Sequence, residues 1–363
     1  KNHEENFGTR LPCPRSLRHD GQRMFRPALS RAKFFVIVLC LFAGLGAGCA
    51  KNKSADATNE DGAKKLFPIR VQLDWLPEPE HGGLYQALAK GYFAQEGLDV
   101  TLLPGGSNVL VTQFVATNQA DIGQSATTQV IQAVAAGMPV INVASIFHRL
   151  PTGLMMHESN PITTFQQLDG KTIMARPEAV YIPYLKKKYG INFTVIPQNF
   201  GSTQFLQDKN FIQEGFFIAE PYFLEQQGAK VKWLALWDSG YEPEATLFAN
   251  TKFAREHPEQ LKAFLRAFIK GWKEYLAGDP SAGNALIEKA NPKGGADFFK
   301  YERDQITKYN LGKGDPAQGE DYGTLNMAKI KNELSIMEDL GLLKPGQGPL
   351  EKAATTAYLP EKE

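Results

Sequence analysis

The sequence predicts an α/β protein made of two lobes, with a helical C-terminal part. Strand and helix patterns alternate from residue 67 to about residue 250, and beyond that point only helical spacing is found. The alternation breaks at Pro151 and resumes near Thr246. The 363 residues are enough for two domains. Such alternation predicts parallel-rich sheets that are covered by helices on both faces.

The first set of elements follows a short tether. Apolar and polar residues alternate over 69–73, the loop after it contains Pro77 and Pro79, and Gly97 ends a helical pattern. The predicted strands are 69–73, 98–103, 120–123 and 139–145, and the predicted helices are 84–96, 107–118 with Ser107 as its cap, and 127–136.

The second set begins after Pro151, and a helical region follows it. Its predicted strands are 153–156, 171–175, 194–196, 215–219, 231–236 and 246–249, with helices over 181–189 and 222–227. The longest helix, 258–276, carries an apolar stripe at 3.6-residue spacing, which predicts core packing. Further helices are predicted over 281–290, 295–309 and 325–340.

These patterns predict the domain organisation. We expect upstream sequence and a signal peptide in residues 1–48 and a lipid-anchored tether in 49–66. Lobe 1 is then formed by 67–152 and 246–345, lobe 2 by 153–245, and the tail by 346–363.

Composition excludes several classes of protein. A hydrophobic content of 43% and a charged content of 22% are those of an ordinary globular protein rather than a disordered one. Forty Lys and Arg against 39 Asp and Glu leave a net charge of +1, which gives no electrostatic reason to expect a nucleic-acid partner.

The N-terminal segment has the pattern of an export signal. Arg26, Arg31 and Lys33 precede an apolar and small-residue run over 34–48, which is shorter than the roughly 20 residues that a membrane span needs. The run ends in Leu45-Gly46-Ala47-Gly48-Cys49, which resembles the lipobox of bacterial lipoproteins, with Gly46 in place of the usual small aliphatic residue. The resemblance implies that the Cys49 thiol is lipidated; the alternative is an uncleaved or ordinarily cleaved signal. Cys49 would then be the sole cysteine of the mature chain, which excludes a disulfide.

Several motifs occur in order along the chain. They are Asp74-Trp75-Leu76-Pro77, His81-Gly82-Gly83-Leu84-Tyr85, Lys90-Gly91-Tyr92-Phe93, Glu96-Gly97-Leu98-Asp99-Val100, Ala120-Asp121-Ile122-Gly123, Leu168-Asp169-Gly170-Lys171, Ala219-Glu220-Pro221-Tyr222 and Asp238-Ser239-Gly240-Tyr241. Together they resemble the solute-binding proteins of the alkanesulfonate, nitrate and thiamine-pyrimidine branch over roughly residues 67–290.

The resemblance implies the two-lobed type II periplasmic-binding fold, in which hinge strands cross twice and the lobes close on a small molecule. It implies an exported, monomeric component of an ABC importer that is held at the membrane by its lipid and delivers its ligand to a permease. It implies no cofactor, no metal and no nucleic-acid partner.

Loops at the carboxyl ends of the strands should line the cleft. Their aromatic side chains suit a stacked heteroaromatic ligand, and their carboxylates could accept hydrogen bonds from an aminopyrimidine edge. The candidate residues of this kind are Trp75, Glu78, His81, Tyr85, Phe147, His148, Glu178, Tyr181, Glu220 and Tyr222. For Glu220, capping of the helix that starts at Pro221 is an equal alternative.

Two other ligand classes stay open at this point. Riboflavin would use the same aromatic faces. An oxyanion such as a sulfonate or nitrate would instead use the helix start at Ser125, Thr127 and Thr128, with Arg149 or Arg176 as a guanidinium fork. The aromatic content favours a thiamine pyrimidine precursor, for which neither arginine should matter much.

An enzymatic alternative comes from the same branch, which also resembles the fungal pyrimidine synthase. That enzyme consumes its own histidine and binds pyridoxal phosphate on a lysine, both just after the strand that matches Asp121-Ile122-Gly123. Here the stretch 124–129 reads QSATTQ, with neither residue, and the chain has only three cysteines against the cysteine-rich run of the synthase. We therefore expect a binding protein rather than an enzyme.

Overall fold

The computed structural model describes residues 65–361, which fold into two mixed β-sheets flanked by helices. The strands of this part, β1 to β10, span Phe67–Gln72, Leu98–Leu103, Ile122–Ala126, Val140–Phe147, Thr152–His157, Thr172–Ala175, Thr194–Pro197, Gln213–Phe216, Val231–Ala235 and Ala245–Asn250. Its α-helices, α1 to α13, span Gly82–Ala89, Tyr92–Gln95, Val111–Ala116, Thr127–Ala135, Tyr181–Tyr189, Thr203–Gln207, Glu220–Glu225, Thr251–Glu256, Pro258–Ala277, Ser281–Ala290, Gly295–Lys308, Met327–Asp339 and Leu350–Ala353.

Each sheet contains parallel strands and one internal antiparallel strand. The first sheet has the order β2-β1-β3-β10-β4, and β10 runs antiparallel to both of its neighbours. The second has the order β7-β6-β8-β5-β9, and β5 is the antiparallel strand. β5 and β10 each enter from the other sheet through a short connection without a crossover helix, so they are not constrained to run parallel.

The chain crosses between the sheets twice, at residues 148–151 and 236–244. This arrangement of two sheets joined by two crossings, with helices α8 to α13 following β10, confirms the α/β, two-lobed fold class. The domain boundaries derived from the sequence stay a prediction.

Some elements differ from the sequence prediction at their ends. The helix expected over 84–96 is split, because Gly91 adopts a left-handed conformation with φ of 68° between α1 and α2. The next helix begins at Val111 and Ser107 does not cap it. The strand expected over 215–219 lies at Gln213–Phe216, and the short helices α6, α8 and α13 were not predicted.

The apolar stripe of α9 forms the core of the first lobe, as predicted. Its members Leu261, Phe264, Leu265, Phe268 and Trp272 are all at most 1% exposed. Helix α1 lies directly against α9, and this contact fixes the connection from β1 to α1 at the edge of the first sheet.

The predictions for the N-terminal segment concern residues outside the described part. The signal, Cys49 and residues 50–64 of the tether all belong to this segment. Within residues 65–361, no helix combines the length and apolar character that crossing a membrane requires.

Candidate functional site

A solvent-open cleft lies between the two lobes. It is bordered by the start of α4, by both crossings and by the connection from β6 to α5. The polar and aromatic side chains that line it include Thr128, Gln129, Thr152, Arg176, Tyr181 and Tyr241. The position at the carboxyl ends of β3 and β6 is where open α/β sheets place their ligands.

Arg176 is held by a buried carboxylate on the side of the second lobe. Its Nε lies 2.8 Å and its Nη2 2.6 Å from Oε1 of Glu214, which is 4% exposed. The Glu214 carboxylate holds the pKa of Arg176 above its ordinary value. The positive charge of Arg176 is therefore compensated within the protein.

Tyr181 is positioned by the same carboxylate. Its hydroxyl donates to Oε2 of Glu214 at 2.9 Å, and Oε2 also accepts the backbone N–H of Arg176 at 3.1 Å. Burial, followed by the negative charge of Glu214, raises the pKa of Tyr181 well above its ordinary value. Tyr181 thus stays protonated and its ring is held in a fixed orientation beside the cleft.

Tyr241 and Thr152 contribute further groups to the cleft. Burial raises the pKa of Tyr241, which therefore remains a neutral phenol. Oγ of the Thr152 hydroxyl is buried and has no hydrogen-bond partner, although the residue lines the cleft. An unpartnered buried hydroxyl is costly to stability.

Trp75 meets an aromatic residue of the other lobe. Its ring centroid lies 5.1 Å from that of Phe200, and each residue follows a strand of its own sheet. Phe200 is 48% exposed and has a φ of 57°, which is unusual for a residue other than glycine. This strained, exposed ring is the type of feature that concentrates at functional sites.

His81 is fully buried and its hydrogen bonds lie within its own loop. Nδ1 accepts the backbone N–H of Glu78 at 3.3 Å, so the ring proton is on Nε2, which donates to Oδ1 of Asp74 at 3.2 Å. The structure therefore gives His81 a role in fixing the loop from 74 to 81.

The two glutamates predicted from the second lobe lie in different environments. Glu178 is exposed and lines the cleft. Glu220 lies in the first turn of α7, where burial raises its pKa to about 7. Its Oε2 accepts the N–H of Phe216 at 2.9 Å, an amide that precedes the helix, so no capping bond to a later amide of α7 is formed.

The remaining predicted residues lie around the cleft rather than on its lining. The hydroxyl of Ser125 donates a hydrogen bond to the side chain of Gln129, and that of Thr127 donates one to Glu333. Tyr85 is buried in the first-lobe core, and this burial raises its pKa to about 12. The ring of Tyr222 packs on Phe298 and Tyr301. Of the residues predicted to bind a ligand, Thr128, Glu178 and Tyr181 line the described cavity, and so does Arg176 of the oxyanion alternative.

Three further candidates, Phe147 and His148 for the aromatic site and Arg149 for the oxyanion alternative, lie at the first crossing. Phe147 is a core residue that packs on Trp272, and the Nδ1 of His148 lies 2.9 Å from the carboxylate of Glu244. Arg149 stacks over the ring of Trp237 at 4.2 Å and does not line the cleft.

Sequence reasoning missed Tyr241, Thr152, Glu214 and Phe200. Tyr241 is part of the Asp238-Ser239-Gly240-Tyr241 motif, so that signal was present. Glu214 was overlooked because the strand was placed two residues too late, which put this carboxylate outside the strand end.

Comparison with known proteins places this geometry in a family. A family profile described as NMT1/THI5 like matches residues 78–282, more than half of the chain. The chain belongs to this family. The family segment includes the cleft residues from both lobes and all of α9.

Two relatives found by sequence comparison are named for different functions, one as a synthase and one as a binding protein. The chain is 28% identical over 251 residues to a 4-amino-5-hydroxymethyl-2-methylpyrimidine phosphate synthase of Saccharomyces cerevisiae, covering 61% of this chain and 74% of that protein. It is 28% identical over 266 residues to the formylaminopyrimidine-binding protein of Halalkalibacterium halodurans, covering 70% and 79%. Family membership alone therefore does not decide between binding and synthesis.

Solved structures match the fold over most of the chain. The periplasmic aliphatic sulphonate binding protein SsuA from Escherichia coli aligns with a TM-score of 0.59 at 13% identity, covering 82% of this chain and 94% of that one. This confirms the periplasmic-binding-protein fold that the motifs implied.

Proposed function

We propose that this protein is the substrate-binding component of an ABC importer and captures a thiamine pyrimidine precursor in the cleft between its lobes. The fold of binding proteins and the relative named as a formylaminopyrimidine-binding protein support this proposal. An exported, monomeric protein that hands its ligand to a membrane permease is part of the same proposal, as are the lobe boundaries at residues 152 and 245.

The observation that carries the ligand class is the pairing of Arg176 with Glu214. An arginine fork for a sulfonate, nitrate or phosphate needs a guanidinium that is not already paired with a carboxylate. Here the arginine in the cleft is already neutralised, and the exposed Glu178 adds negative charge. A neutral or cationic ligand fits this electrostatic environment better than an anion.

The other cleft groups fit a heteroaromatic ring. Tyr181 and Tyr241 provide aromatic faces, whose contact with a second ring is worth about 0.5–1.5 kcal/mol beyond the area buried. The exposed carboxylate of Glu178 can accept a hydrogen bond from an amino group at the ring edge.

The synthase reading of the family finds less support in this chain. The segment 124–129 has neither a lysine nor a histidine, and Oγ of Ser125 is bonded to the side chain of Gln129 at 2.5 Å. A suicide synthase would lose a histidine from its own chain. Mass spectrometry after incubation with pyridoxal phosphate should leave all histidines of this protein intact.

A thermal-shift panel followed by calorimetry tests the proposal. Formylaminopyrimidine and hydroxymethylpyrimidine should raise the melting temperature, since a hundredfold excess of ligand over Kd stabilises the folded state by about 2.7 kcal/mol. Taurine and nitrate should give no shift. Binding of taurine or nitrate in the absence of pyrimidine binding would overturn the proposal. Binding of riboflavin alone would show that the ligand is a flavin rather than a pyrimidine.

Trp75→Ala should weaken pyrimidine binding tenfold or more. The substitution removes the ring that meets Phe200 across the lobes, and with it an aromatic contact that holds the two lobes together. Calorimetry measures the change. Leu76→Ala, at an exposed residue of the same loop, is the matched control and should leave Kd nearly unchanged.

Cys49→Ser should release the protein from the membrane while its ligand affinity in solution stays the same. The reason is that the proposed acyl chains supply membrane affinity and take no part in the cleft. Fractionation and mass spectrometry of the N-terminus check this. A mature N-terminus other than an acylated Cys49 would contradict the proposed anchor.

A further inference from the structure

Carboxyl groups from the two lobes lie near one another where α7 meets α11. Glu78 and Glu80 lie on the connection from β1 to α1, Glu302 lies on α11, and Glu220 lies on α7 of the second lobe. We call these four residues the interlobe carboxyl cluster. Oε1 of Glu302 accepts the backbone N–H of Glu80 at 3.0 Å, which joins the two first-lobe elements.

Aromatic packing brings the second-lobe member against the others. The ring of Tyr222 lies 5.5 Å from that of Tyr301, and the ring of Phe223 lies 4.6 Å from that of Phe298. These contacts join α7 to α11, and Glu220 and Glu302 are close to them in sequence. Closing the lobes therefore brings Glu220 into the same buried region as the other three carboxyl groups.

The cluster has no balancing cation among residues 65–361. None of its four members is paired with a lysine or arginine there, and the basic side chain beside Glu80 is His81. Oε2 of Glu302 is buried and has no hydrogen-bond partner. An ionised carboxylate left in this condition is strongly unfavourable, so the cluster needs a bound proton or a cation.

The hydrogen bonds of His81 favour the proton over a metal ion. Its Nδ1 accepts from the Glu78 amide, which leaves the proton on Nε2, the atom that faces Asp74 and Glu80. A metal at Nε2 would require that proton to leave and Nδ1 to become a donor facing another donor. Asp74, Glu80 and His81 therefore form a poor metal site.

Burial raises the pKa values of all four carboxyl groups of the cluster. Burial and then the charge of Glu220 raise the pKa of Glu78 to about 8, and burial raises the pKa of Glu220 to about 7. The pKa values of Glu80 and Glu302 are raised well above the ordinary value, first by burial. The other titratable or charged groups around the cluster are Asp74, His81, Glu214, Tyr275, Tyr301 and Arg303.

We propose that closure of the lobes is coupled to proton uptake by the interlobe carboxyl cluster, so that the protein captures its ligand more tightly in acid than in base. Opening the lobes would separate Glu220 from Glu78 and Glu302, and the half-buried carboxyl groups of Glu78 and Glu220 would then release their protons closer to the ordinary range. In the closed form they keep a proton. The closed form is therefore fully favoured below the ordinary carboxyl range and loses that advantage as the pH rises through about 7 to 8.

Small-angle scattering of the ligand-free protein between pH 5 and pH 9 tests the coupling. We expect a compact form at pH 5 to 6 and expansion above pH 8. Glu220→Gln and Glu78→Gln remove one charge each and should keep the compact form at pH 9. Glu225→Gln, at an exposed position on the same helix, should behave like the unaltered protein. Equal dimensions at all pH values, or identical profiles for Glu220→Gln and Glu225→Gln, would overturn the proposal.

Two further measurements separate the causes. Addition of Ca²⁺ or Zn²⁺ alone at pH 9 should not compact the protein; compaction by either ion would replace the proton with a cation site. The ligand arm rests on the proposed function: calorimetry in buffers of different ionisation enthalpy should show proton uptake on binding. For each proton taken up, Kd should rise by up to tenfold per pH unit between the ordinary carboxyl range and about pH 7 to 8, and should level off above that. Absence of pyrimidine binding would refute the proposed function and leave the scattering test of the cluster intact, whereas binding without proton uptake would refute the coupling.

Discussion

Glu214→Gln is expected to destabilise the second lobe and to change the ligand class of the cleft. The Glu214 carboxylate accepts hydrogen bonds from two guanidinium nitrogens and the backbone amide of Arg176 and from the Tyr181 hydroxyl. Its negative charge strengthens each of these bonds. Removing one partner of a buried pair costs about 3–5 kcal/mol, and the lower end applies here because the Arg176 side chain is 34% exposed. Urea denaturation followed at equilibrium measures the loss.

The same substitution leaves Arg176 as a free cation in the cleft. We expect pyrimidine affinity to fall and weak binding of taurine or another sulfonate to appear, because an unneutralised guanidinium is the fork that an oxyanion needs. Glu158→Gln, at an exposed position of the same lobe, is the control and should change neither property. If Glu214→Gln binds pyrimidines as tightly as the original protein, the neutralised arginine does not select the ligand.

The structure also changes the expectation for Arg176 itself. From the sequence it was an arginine of little importance to pyrimidine binding, yet it lines the cleft and is the cation that compensates Glu214. Arg176→Ala would leave the Glu214 carboxylate buried with only neutral partners. A loss of stability from that variant therefore reflects the pair and is no sign of an anionic ligand.

The fold was predictable because its elements carry strong local signals. The predicted bounds of helix α5 and strand β2 agree with the structure. The bounds of β2 were predictable because Gly97 ends the helical turn before it and apolar residues alternate within it. The split between α1 and α2 was missed because the apolar spacing continues across Gly91, and the conformation of one glycine decides the break.

The site was predictable only in part because its key groups are paired across long sequence distances. Glu214 and Arg176 are 38 residues apart, and nothing in either local sequence indicates that they bond. The contact of Trp75 with Phe200 joins two loops from different lobes in the same way. Residue type indicated which side chains suit a ligand, whereas pairing determines which of them remain free to bind it.

Gly271→Ala is expected to destabilise the first lobe, against the usual effect of this substitution in a helix. In an exposed helix interior, alanine is favoured over glycine by about 1 kcal/mol. At Gly271 an added Cβ would lie 2.2 Å from the carbonyl oxygen of Gly83 and 2.8 Å from Cβ of Ala87. The first of these is backbone, so the clash can be relieved only by moving α1 away from α9.

Overpacking should lower the free energy of unfolding by about 1–3 kcal/mol. Helix propensity alone would raise it, so the sign of the change shows which of the two effects is larger. Lys273→Ala, at an exposed position on α9, is the matched control and should be close to neutral. The displacement of α1 should also reach the cleft, because the loop carrying Trp75, Glu78 and His81 leads directly into this helix. Calorimetry of Gly271→Ala should therefore show weaker ligand binding together with the lower denaturation midpoint, and a variant of unchanged or increased stability would contradict the close contact between α1 and α9.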